Sequence, residues 1–416
     1  MTPQQAFVEA DRCLQCFDAP CTGACPVHID IPMFIGMIKS GNLLGAAQVV
    51  KTSNALANTC GRVCPEEVFC QSVCTRGKQD SPILIRELHL HATQSEARQG
   101  ISRTLKFTAG ESRVAVIGGG PAGLACAFEM VKLGHPVDLF DSEDPGGVPR
   151  KSIPTFRLAD QELRTDLDFI TAFFACKQVQ IDRETFDKIR LEYSAVFLAV
   201  GLGRDKTLGI RGENLQGVYP VLAVLEKAKR DAVSISPGKC VIVVGGGNVS
   251  LDVAATVKHL GAAEVILLYR RSEQEMKVWK GELAEARNQG VEFRFLTVPV
   301  EILGNGKVKG VRCRRMRLTD RKDASDRRVP EEIPDSDFVI EADAIIVAVG
   351  QSIRSDWVSC LERTPEGYIK TRSDFQTSEP GVFAGGDAIA GEGTIVQSVA
   401  HGKEAARAMH AYLANV

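Results

Sequence analysis

Short apolar runs alternate with amphipathic segments along the chain from about residue 113 onward. Each run is rich in β-branched side chains and is followed by glycine or a turn. Near-continuous apolar runs are typical of strands buried on both faces of a parallel sheet, and their alternation with helices predicts doubly wound α/β domains. The predicted strands are Val114–Ile117, Val137–Phe140, Ala195–Val200, Val241–Val244, Val265–Tyr269 and Ala344–Val349.

The first hundred residues follow a different pattern, with short helices between groups of cysteines. Asp30 is predicted to cap a helix over Ile31–Lys39, and Asn42 is predicted to open another over Leu43–Lys51. The polar stretch 95–112 predicts a linker, and the charged, proline-containing stretch 319–341 predicts a hairpin excursion.

Composition excludes several classes of function. With 416 residues, 44% apolar and 25% charged, the chain has ordinary globular composition and a length typical of about three domains. A net charge of −2 without blocks of like charge does not indicate binding to nucleic acid or to an anionic membrane. The sequence lacks an apolar run of about 18 residues and shows no secretory signal. We therefore expect no membrane span and a cytoplasmic protein.

Eight of the 13 cysteines lie between Cys13 and Cys74, in two sets. In a reducing compartment, such density indicates metal or redox chemistry rather than disulfides. A 4Fe–4S cluster usually needs four thiolates, so eight cysteines could supply two clusters. In two-cluster ferredoxins the cysteine before a proline binds the other cluster, so we expect ligands to interchange between the two sets. A structural zinc site is the main alternative and unliganded thiols are another. The sets are Cys13-x₂-Cys16-x₄-Cys21-x₃-Cys25-Pro26 and Cys60-x₃-Cys64-Pro65-x₄-Cys70-x₃-Cys74.

The first strand is followed by a glycine-rich turn that opens a helix. Gly118, Gly120 and Gly123 fit the G-x-G-x-x-G pattern, which allows a tight turn, backbone approach to a pyrophosphate and close helix packing. The next strand ends at Asp141, where a carboxylate can bind a ribose hydroxyl. A plain glycine-rich turn is the alternative, but strand, helix and acid together predict a dinucleotide site.

A second strand–turn–helix module begins at Lys239. Gly245 and Gly247 are in place, but Ser250 stands where the third glycine is expected. The following strand ends in Arg270 and Arg271 instead of an acid, which favours the 2′-phosphate of NADP. Solvated arginines on an ordinary helix–sheet pair are the alternative. Two such modules in one chain fit a flavin reductase that binds FAD and a nicotinamide, NADPH in preference to NADH.

These modules and several further motifs make the chain resemble the two-dinucleotide-domain flavoproteins that include the glutamate synthase small subunit and the dihydropyrimidine dehydrogenase branch. The resemblance implies an α/β fold: two Rossmann-like domains in a glutathione-reductase-like arrangement, preceded by an α-helical iron–sulfur domain. It implies clusters in 1–100, FAD in 111–204 and 340–416, and an inserted nicotinamide domain in 205–339. The motifs are Pro145-Gly146-Gly147, Ile153–Leu158, Gly201, Gly350 and Val382-Phe383-Ala384-Gly385-Gly386-Asp387.

The resemblance also implies roles for individual residues. Asp387 would bind the FAD ribityl chain, and the helix that begins near Thr394 would point at the pyrimidine edge of the flavin, favouring its anionic reduced form. Hydride transfer needs positioning rather than an acid or base, so no catalytic residue is named. The expected cofactor-binding residues are Gly118, Gly120, Pro121, Ala122, Gly123, Asp141, Gly146, Gly147, Arg157, Gly201, Gly245, Gly247, Asn248, Arg270, Arg271, Gly350, Gly386, Asp387, Thr394 and Val396.

The resemblance assigns the cysteines to two clusters and leaves Cys60 out. Relatives have Gln or Glu as a non-cysteine ligand where this chain has His89, although a lone histidine is more often a core or surface residue. An imidazole ligand raises the potential of Rieske centres, so His89 could tune this cluster. The ligand sets implied are Cys13, Cys16, Cys21 and Cys74 for one cluster, and Cys25, Cys64, Cys70 and His89 for the other.

The expected function follows from these parts. Electrons would pass from NAD(P)H to FAD and then through both clusters, because flavin exchanges electrons in pairs or singly. No substrate-reducing site remains in the chain, so the path should end on an FMN-containing catalytic subunit in a hetero-oligomer. The resemblance favours a partner that reduces uracil and thymine. Glutamate synthase is the alternative, and a non-catalytic redox sensor is an alternative from another class.

Overall fold

Residues 1–99, 110–231 and 238–415 are described by the structure, which is a computed structural model. Predicted features at residues 100–109 therefore lie outside the described residues. The chain divides into two units. One contains Met1–Arg150, Thr155–Leu202 and Ile353–Val416, and the other contains Lys151–Pro154 and Gly203–Ser352.

The N-terminal part of the first unit is helical, as predicted. The Asp30 side chain accepts a hydrogen bond from Met33 N and caps the predicted helix, and Asn42 caps the next by accepting from Gly45 N. The predicted linker starts too early, because the last of these helices continues to Arg98. The helices are α1 Pro3–Asp11, α2 Pro20–Ala24, α3 Ile31–Lys39, α4 Leu43–Ser53, α5 Ala57–Val63 and α6 Ile85–Arg98.

A doubly wound α/β arrangement follows. Its first strand is buried at all four residues, because it pairs in parallel with a strand on either side. The elements are β1 Val114–Ile117, α7 Pro121–Lys132, β2 Val137–Asp141, α8 Gly147–Lys151, α9 Asp160–Thr171, β3 Ala175–Gln178, α10 Arg183–Glu192 and β4 Ala195–Leu198.

The second unit repeats the parallel-sheet plan and adds an antiparallel sheet. The predicted hairpin excursion is confirmed, but it is part of a larger sheet whose longest strand begins earlier, at Lys307. The elements are β5 Gly203–Asp205, β6 Val218–Pro220, α11 Val221–Arg230, β7 Cys240–Val244, α12 Asn248–His259, β8 Glu264–Tyr269, α13 Lys280–Asn288, β9 Val291–Phe295, β10 Thr297–Asn305, β11 Lys307–Lys322, β12 Arg328–Glu332, β13 Phe338–Glu341 and β14 Ala344–Val347.

The chain then returns to the first unit. The returning strand completes a parallel sheet in the order β16-β4-β1-β2-β3, while the second unit has β6-β14-β7-β8-β9. Both sheets are of the doubly wound type that the sequence predicts. The chain crosses back within β15 Gln351–Ile353, which pairs with β5, and the elements that follow it are β16 Val382–Ala384, α14 Asp387–Ala390 and α15 Ile395–Leu413.

One predicted domain boundary differs from the division of the chain into two units. Residues 340–352 were expected to lie with the C-terminal FAD-binding segment, but they belong to the second unit. The reason is strand pairing: β14 lies in register beside β7, with Ala344 opposite Val241 and Val347 opposite Val244. Its apolar residues complete the second sheet before the chain crosses back at Ile353.

One hydrophobic core joins the cysteine-rich helices to the first parallel sheet. Phe34 of α3 and Leu88 of α6 belong to the same buried cluster as Val116 of β1 and Met409 of α15. The helical region is therefore packed as part of the first unit. In the described ranges, no helix is long and apolar enough to cross a membrane.

Candidate cofactor sites

The turn between β1 and α7 can be built only with glycine at two positions. Gly118 has a φ of +109°, and a Cβ there would lie 2.2 Å from the carbonyl oxygen of Ala199. A Cβ on Gly123 would lie 1.8 Å from the carbonyl oxygen of Gly118. Both distances are far below van der Waals contact, so the turn holds helix and strand close together, as dinucleotide-binding turns do.

Asp141 closes this turn from the end of β2. Its Oδ2 accepts a hydrogen bond from Gly119 N at 2.6 Å, and its Oδ1 accepts one from Glu143 N at 3.0 Å. A loop containing two of the predicted glycines packs against the same turn: Gly146 N donates to Gly119 O at 2.8 Å. The acid therefore lies where a ribose-binding carboxylate is expected.

Asp387 and the start of α15 lie near the same turn. A Cβ on Gly386, which has a φ of +69°, would lie 2.9 Å from Ala122 Cβ in α7. Burial raises the pKa of Asp387 to about 6, while the hydroxyl of Ser398, which donates to its Oδ1 at 3.2 Å, opposes that rise. Thr394 caps α15 through a capping box with Gln397. Asp387 and the N-terminus of α15 thus adjoin the start of α7.

The other residues predicted to bind FAD also belong to the first unit. Gly120 is the N-cap residue of α7, and Gly201 follows β4 with a φ of +60° and open space around its Cα. Arg157 is half-buried in the first unit, and Val396 is buried in the first turn of α15. The geometry around Gly118, Asp141 and Asp387 fits a dinucleotide, since it leaves a glycine-lined turn beside a carboxylate and a helix N-terminus.

The second glycine turn, between β7 and α12, is built differently. A Cβ on Gly245 would lie 2.3 Å from Ala348 O, which explains the glycine there. Ser250 is fully buried, and its hydroxyl donates to Gly247 O at 2.5 Å, so the missing third glycine leaves no gap. Asn248 Oδ1 accepts from Trp279 N at 3.3 Å, which ties the following loop to the turn. Gly350 lies in the same unit, with a φ of +104°.

Arg271 is buried in the second unit, against the hairpin β11–β12. Its side chain is 4% exposed, its Nη2 donates to Asp323 Oδ2 at 2.6 Å, and its Nε donates to Arg328 O at 3.0 Å. The hairpin β11–β12 covers and pairs its guanidinium, so the role of Arg271 in binding a 2′-phosphate stays a prediction that would require this hairpin to release it.

Arg270 is the exposed arginine at the end of β8. Partial desolvation lowers the pKa of Arg270, and the like charges of Arg271 and Arg327 add to that effect. No carboxylate contacts Arg270 among the residues that the structure describes. A group of arginines with one unpaired member is an environment that favours an anion.

Four cysteine thiols form a first group in space. Burial raises the pKa of Cys13, and nearby Cys74 and Cys16 add to the rise. Burial also raises the pKa of Cys21 to about 11, with smaller contributions from Cys13 and Cys74. The four predicted ligands of one cluster are thus brought together. Such thiols ionise when a metal centre binds them.

A second group contains Cys25, Cys64 and Cys70. Burial raises the pKa of Cys70, and Cys64 and Cys25 are among the groups that raise it further. Cys60 also adjoins this group: burial raises its pKa to about 12, and it is close enough to Cys64 to affect that thiol. Among the described residues, no three His, Cys, Asp or Glu side chains are near enough to hold a single metal ion. The two sets of thiols fit the donor chemistry of iron–sulfur clusters.

His89 has the environment of a potential ligand. It lies on α6, and its Nε2 is buried without a hydrogen-bond partner in the described part of the chain. Burial lowers the pKa of His89 to about 4, and a hydrogen bond to the backbone of Ala57 opposes that change. A Cβ on Gly61 of α5 would lie 3.5 Å from Nε2. A neutral imidazole with one nitrogen held by a carbonyl and the other free is typical of metal-binding histidines.

Asp166 is a structural residue that sequence reasoning missed. The α5 helix has no side-chain cap of its own, and Asp166 of α9 supplies one. Its Oδ1 accepts from Asn58 N at 3.0 Å and its Oδ2 accepts from Thr59 N at 2.7 Å. Burial raises the pKa of Asp166, and these bonds oppose the rise. The partners are 108 residues apart, so no local pattern could reveal the contact.

The sequence matches two family profiles. Residues 112–406 match the family described as pyridine nucleotide-disulphide oxidoreductase. Residues 1–101 match the one described as dihydropyrimidine dehydrogenase domain II, 4Fe-4S cluster. The first match spans both glycine turns, and the second spans both cysteine groups and His89. The resemblance identified from the motifs is confirmed.

Individual relatives agree with these matches. The chain is 36% identical to the NAD-dependent dihydropyrimidine dehydrogenase subunit PreT of Escherichia coli O157:H7, over 99% of this chain and 95% of that protein. It is 34% identical to the glutamate synthase (NADPH) small chain of Halomonas elongata, over 99% and 91%. The solved structure of Mycobacterium tuberculosis FprA in complex with NADPH aligns with a TM-score of 0.63 at 20% identity, over 74% of this chain and 85% of that one. The likeness to FprA confirms the predicted α/β fold.

Proposed function

Because the chain belongs to the pyridine nucleotide-disulphide oxidoreductase family, we propose that it is the electron-input subunit of a pyrimidine-reducing enzyme. It is an NAD(P)H-dependent oxidoreductase with a 4Fe–4S domain. In this proposal, electrons from NAD(P)H pass through FAD and two 4Fe–4S clusters. They then reach an FMN-containing partner subunit, which reduces uracil and thymine to 5,6-dihydropyrimidines.

The observation that carries the proposal is the packing of the cysteine-rich helices in the same unit as the first glycine turn. Asp141, Asp387 and the capped start of α15 would hold FAD there, with the positive end of the helix favouring reduced, anionic flavin. When bound, FAD supplies the change from hydride transfer to single-electron transfer. The shared core supports a fixed arrangement of flavin and clusters, which electron transfer requires.

We assign His89 as the fourth ligand of the cluster held by Cys25, Cys64 and Cys70. Its buried Nε2, which has no hydrogen-bond partner among the described residues, supports the assignment. His89→Ala should lose about half of the bound iron and one EPR signal, because one of two clusters would lose a ligand. Cys60→Ala is the matched control, since Cys60 is equally buried beside the same thiols. Unchanged iron in the His89 variant, or iron loss in the Cys60 variant, would contradict the assignment.

We propose NADPH as the preferred electron donor. Arg270 supports this preference, because it is exposed and contacts no carboxylate of the described ranges, and a guanidinium binds a phosphate bidentately where an acid would repel it. The relative named an NAD-dependent subunit has the higher identity, and the relative named an NADPH enzyme is nearly as similar. Measuring kcat/KM with NADPH and with NADH decides which nucleotide is the preferred donor.

A partner that reduces pyrimidines is favoured by the 36% identity to a subunit named dihydropyrimidine dehydrogenase. The similarity to a glutamate synthase small chain supports a second candidate, in which the partner is the large subunit of that enzyme. Both candidates make this chain one component of a hetero-oligomer.

The test is anaerobic purification from the native host followed by addition of NADPH. We expect the flavin absorbance to bleach and the partner to co-purify with uracil reductase activity. A co-purified glutaminase would favour the second candidate. Flavin that stays oxidised with both nucleotides would contradict electron input altogether and would favour a redox sensor.

A further inference from the structure

Lys403 of α15 connects the FAD-binding part of the first unit to the cysteine-rich helices. Its Nζ donates to Val27 O at 2.9 Å and to Ser53 O at 3.1 Å. Val27 lies two residues after Cys25, and Ser53 is the last residue of α4. One lysine therefore holds two separate segments of the helical region against α15.

The ammonium of Lys403 also lies close to a proposed cluster ligand. The Val27 carbonyl that accepts its hydrogen bond is two residues from Cys25, in a tight turn where His28 N donates to Cys25 O at 2.9 Å. No carboxylate forms an ion pair with Lys403 in the ranges that the structure describes. The nearby Glu129 is engaged instead by Lys132 at 2.6 Å and Arg407 at 3.8 Å. A half-buried positive charge without an ion pair in those ranges thus lies beside the Cys25 loop.

We propose that Lys403 is a positioning residue that fixes the Cys25 loop against α15 and favours the reduced form of the cluster bound by Cys25. The inference rests on the proposed function, because it requires a cluster at that cysteine. Reduction adds one negative charge to a cluster, and hydrogen bonds and charges around the ligands set its potential. A fixed ammonium nearby therefore makes the cluster a better electron acceptor for the flavin on the same unit.

Three variants separate charge from packing. Lys403→Gln removes the charge and keeps a hydrogen-bond donor, whereas Lys403→Arg keeps the charge. Lys132→Met is the matched control, because Lys132 also donates to a carbonyl of α4, Thr52 O at 3.2 Å, but is paired with Glu129. Each holoprotein is titrated anaerobically and followed by cluster EPR, with iron and acid-labile sulfide measured alongside.

At a fixed potential, Lys403→Gln should lower the ratio of reduced to oxidised cluster about ten-fold, as expected for loss of one nearby charge in partly screened surroundings. Lys403→Arg and Lys132→Met should change the ratio less than about two-fold. Equal midpoint potentials in the wild type and Lys403→Gln at full iron content would overturn the proposal. A wild type with no iron would instead overturn the proposed function on which it rests.

Discussion

The two glycine turns share one plan, strand–turn–helix, but different contacts complete them. In the first, a carboxylate at the end of the second strand accepts a hydrogen bond from the turn, Asp141 from Gly119. In the second, the ring of Tyr269 packs on the turn: a Cβ on Gly246 would lie 2.2 Å from its Cε2. The first turn is closed by an acid and the second by an aromatic ring, with an exposed arginine next in the chain.

The third position of the glycine pattern shows what the difference means. At Gly123 the carbonyl oxygen of Gly118 leaves no room for a side chain, whereas Ser250 fits and bonds to Gly247 O. The third glycine is thus required where a backbone oxygen fills the space for a side chain, and it is dispensable where a serine fits. A strict pattern search would rank the second turn as defective, although its packing is complete.

The largest expected effect is that of Gly123→Ala. The new Cβ would lie 1.8 Å from a backbone oxygen, so the turn must move, at a cost of at least about 3 kcal/mol. We expect FAD affinity to fall more than about 100-fold, which is measured from the flavin content of the purified protein. Retention of full FAD would show that the first turn is as tolerant as the second.

The next effect separates the two arginines at the end of β8. Arg270→Ala should lower kcat/KM for NADPH roughly 10- to 150-fold through loss of a charge-assisted hydrogen bond, and it should change NADH use little. Arg271→Ala should instead lower the melting temperature, because it removes the closer of the two arginines that pair with Asp323 and leaves only Arg327, at 3.9 Å.

Steady-state kinetics with both nucleotides checks the first expectation, and thermal unfolding checks the second. If Arg271→Ala alone abolished the preference for NADPH while Arg270→Ala did not, the buried arginine would be the one that matters. The arginine that distinguishes the second turn from the first would then be Arg271, and the hairpin β11–β12 would have to rearrange to release it.

The sequence predicts the fold well where strands are buried on both faces of a sheet. Strands such as β1 and β7 were recognised because parallel strands covered on both faces are apolar throughout. Edge strand β3 was missed, since all four of its residues are exposed and it has no apolar run. The glycine turns and helix caps were predictable because their partners are local in the chain.

The sites were predicted less completely, because some of their contacts join distant segments. Arg271 pairs with a residue 52 positions later, so the sequence at the strand end shows two equivalent arginines where the structure has one buried and one exposed. Likewise, Asp166 caps a helix across 108 positions. Tertiary pairing decides which of several suitable side chains is available, and it leaves no periodic signal.

The free energy of unfolding is expected to depend on pH through Asp387, beside the first glycine turn, and not through Ser250 in the second. Burial raises the pKa of Asp387 to about 6, above its unfolded value near 3.9. The stabilisation that the protonated Asp387 carboxyl gives the folded state is therefore fully present below about pH 4 and is lost as the pH rises through 6. In flavin-free protein, Asp387→Asn should raise the free energy of unfolding at pH 7.5 by about 2 kcal/mol.

That gain should shrink as the pH is lowered from 7.5 to 5, and urea unfolding at several pH values measures it. Ser250→Ala serves as the control, since a hydroxyl that does not titrate in this range should give a difference that is independent of pH. A constant gain for Asp387→Asn across the range would mean that burial does not raise the pKa of its carboxyl.

The smallest expected effect is that of Ser250→Gly, which gives the second turn the full glycine pattern of the first. The variant loses the hydrogen bond from Ser250 Oγ to Gly247 O and adds a glycine to α12, which together should cost about 1–2 kcal/mol of stability. Nicotinamide binding should change less than about three-fold, because the backbone path of the turn is already set by Gly245 and Gly247. Denaturant unfolding and the KM for NADPH measure the two quantities separately. A gain of ten-fold or more in NADPH affinity would mean that the third glycine serves the nucleotide directly, and the two turns would then differ in function as well as in packing.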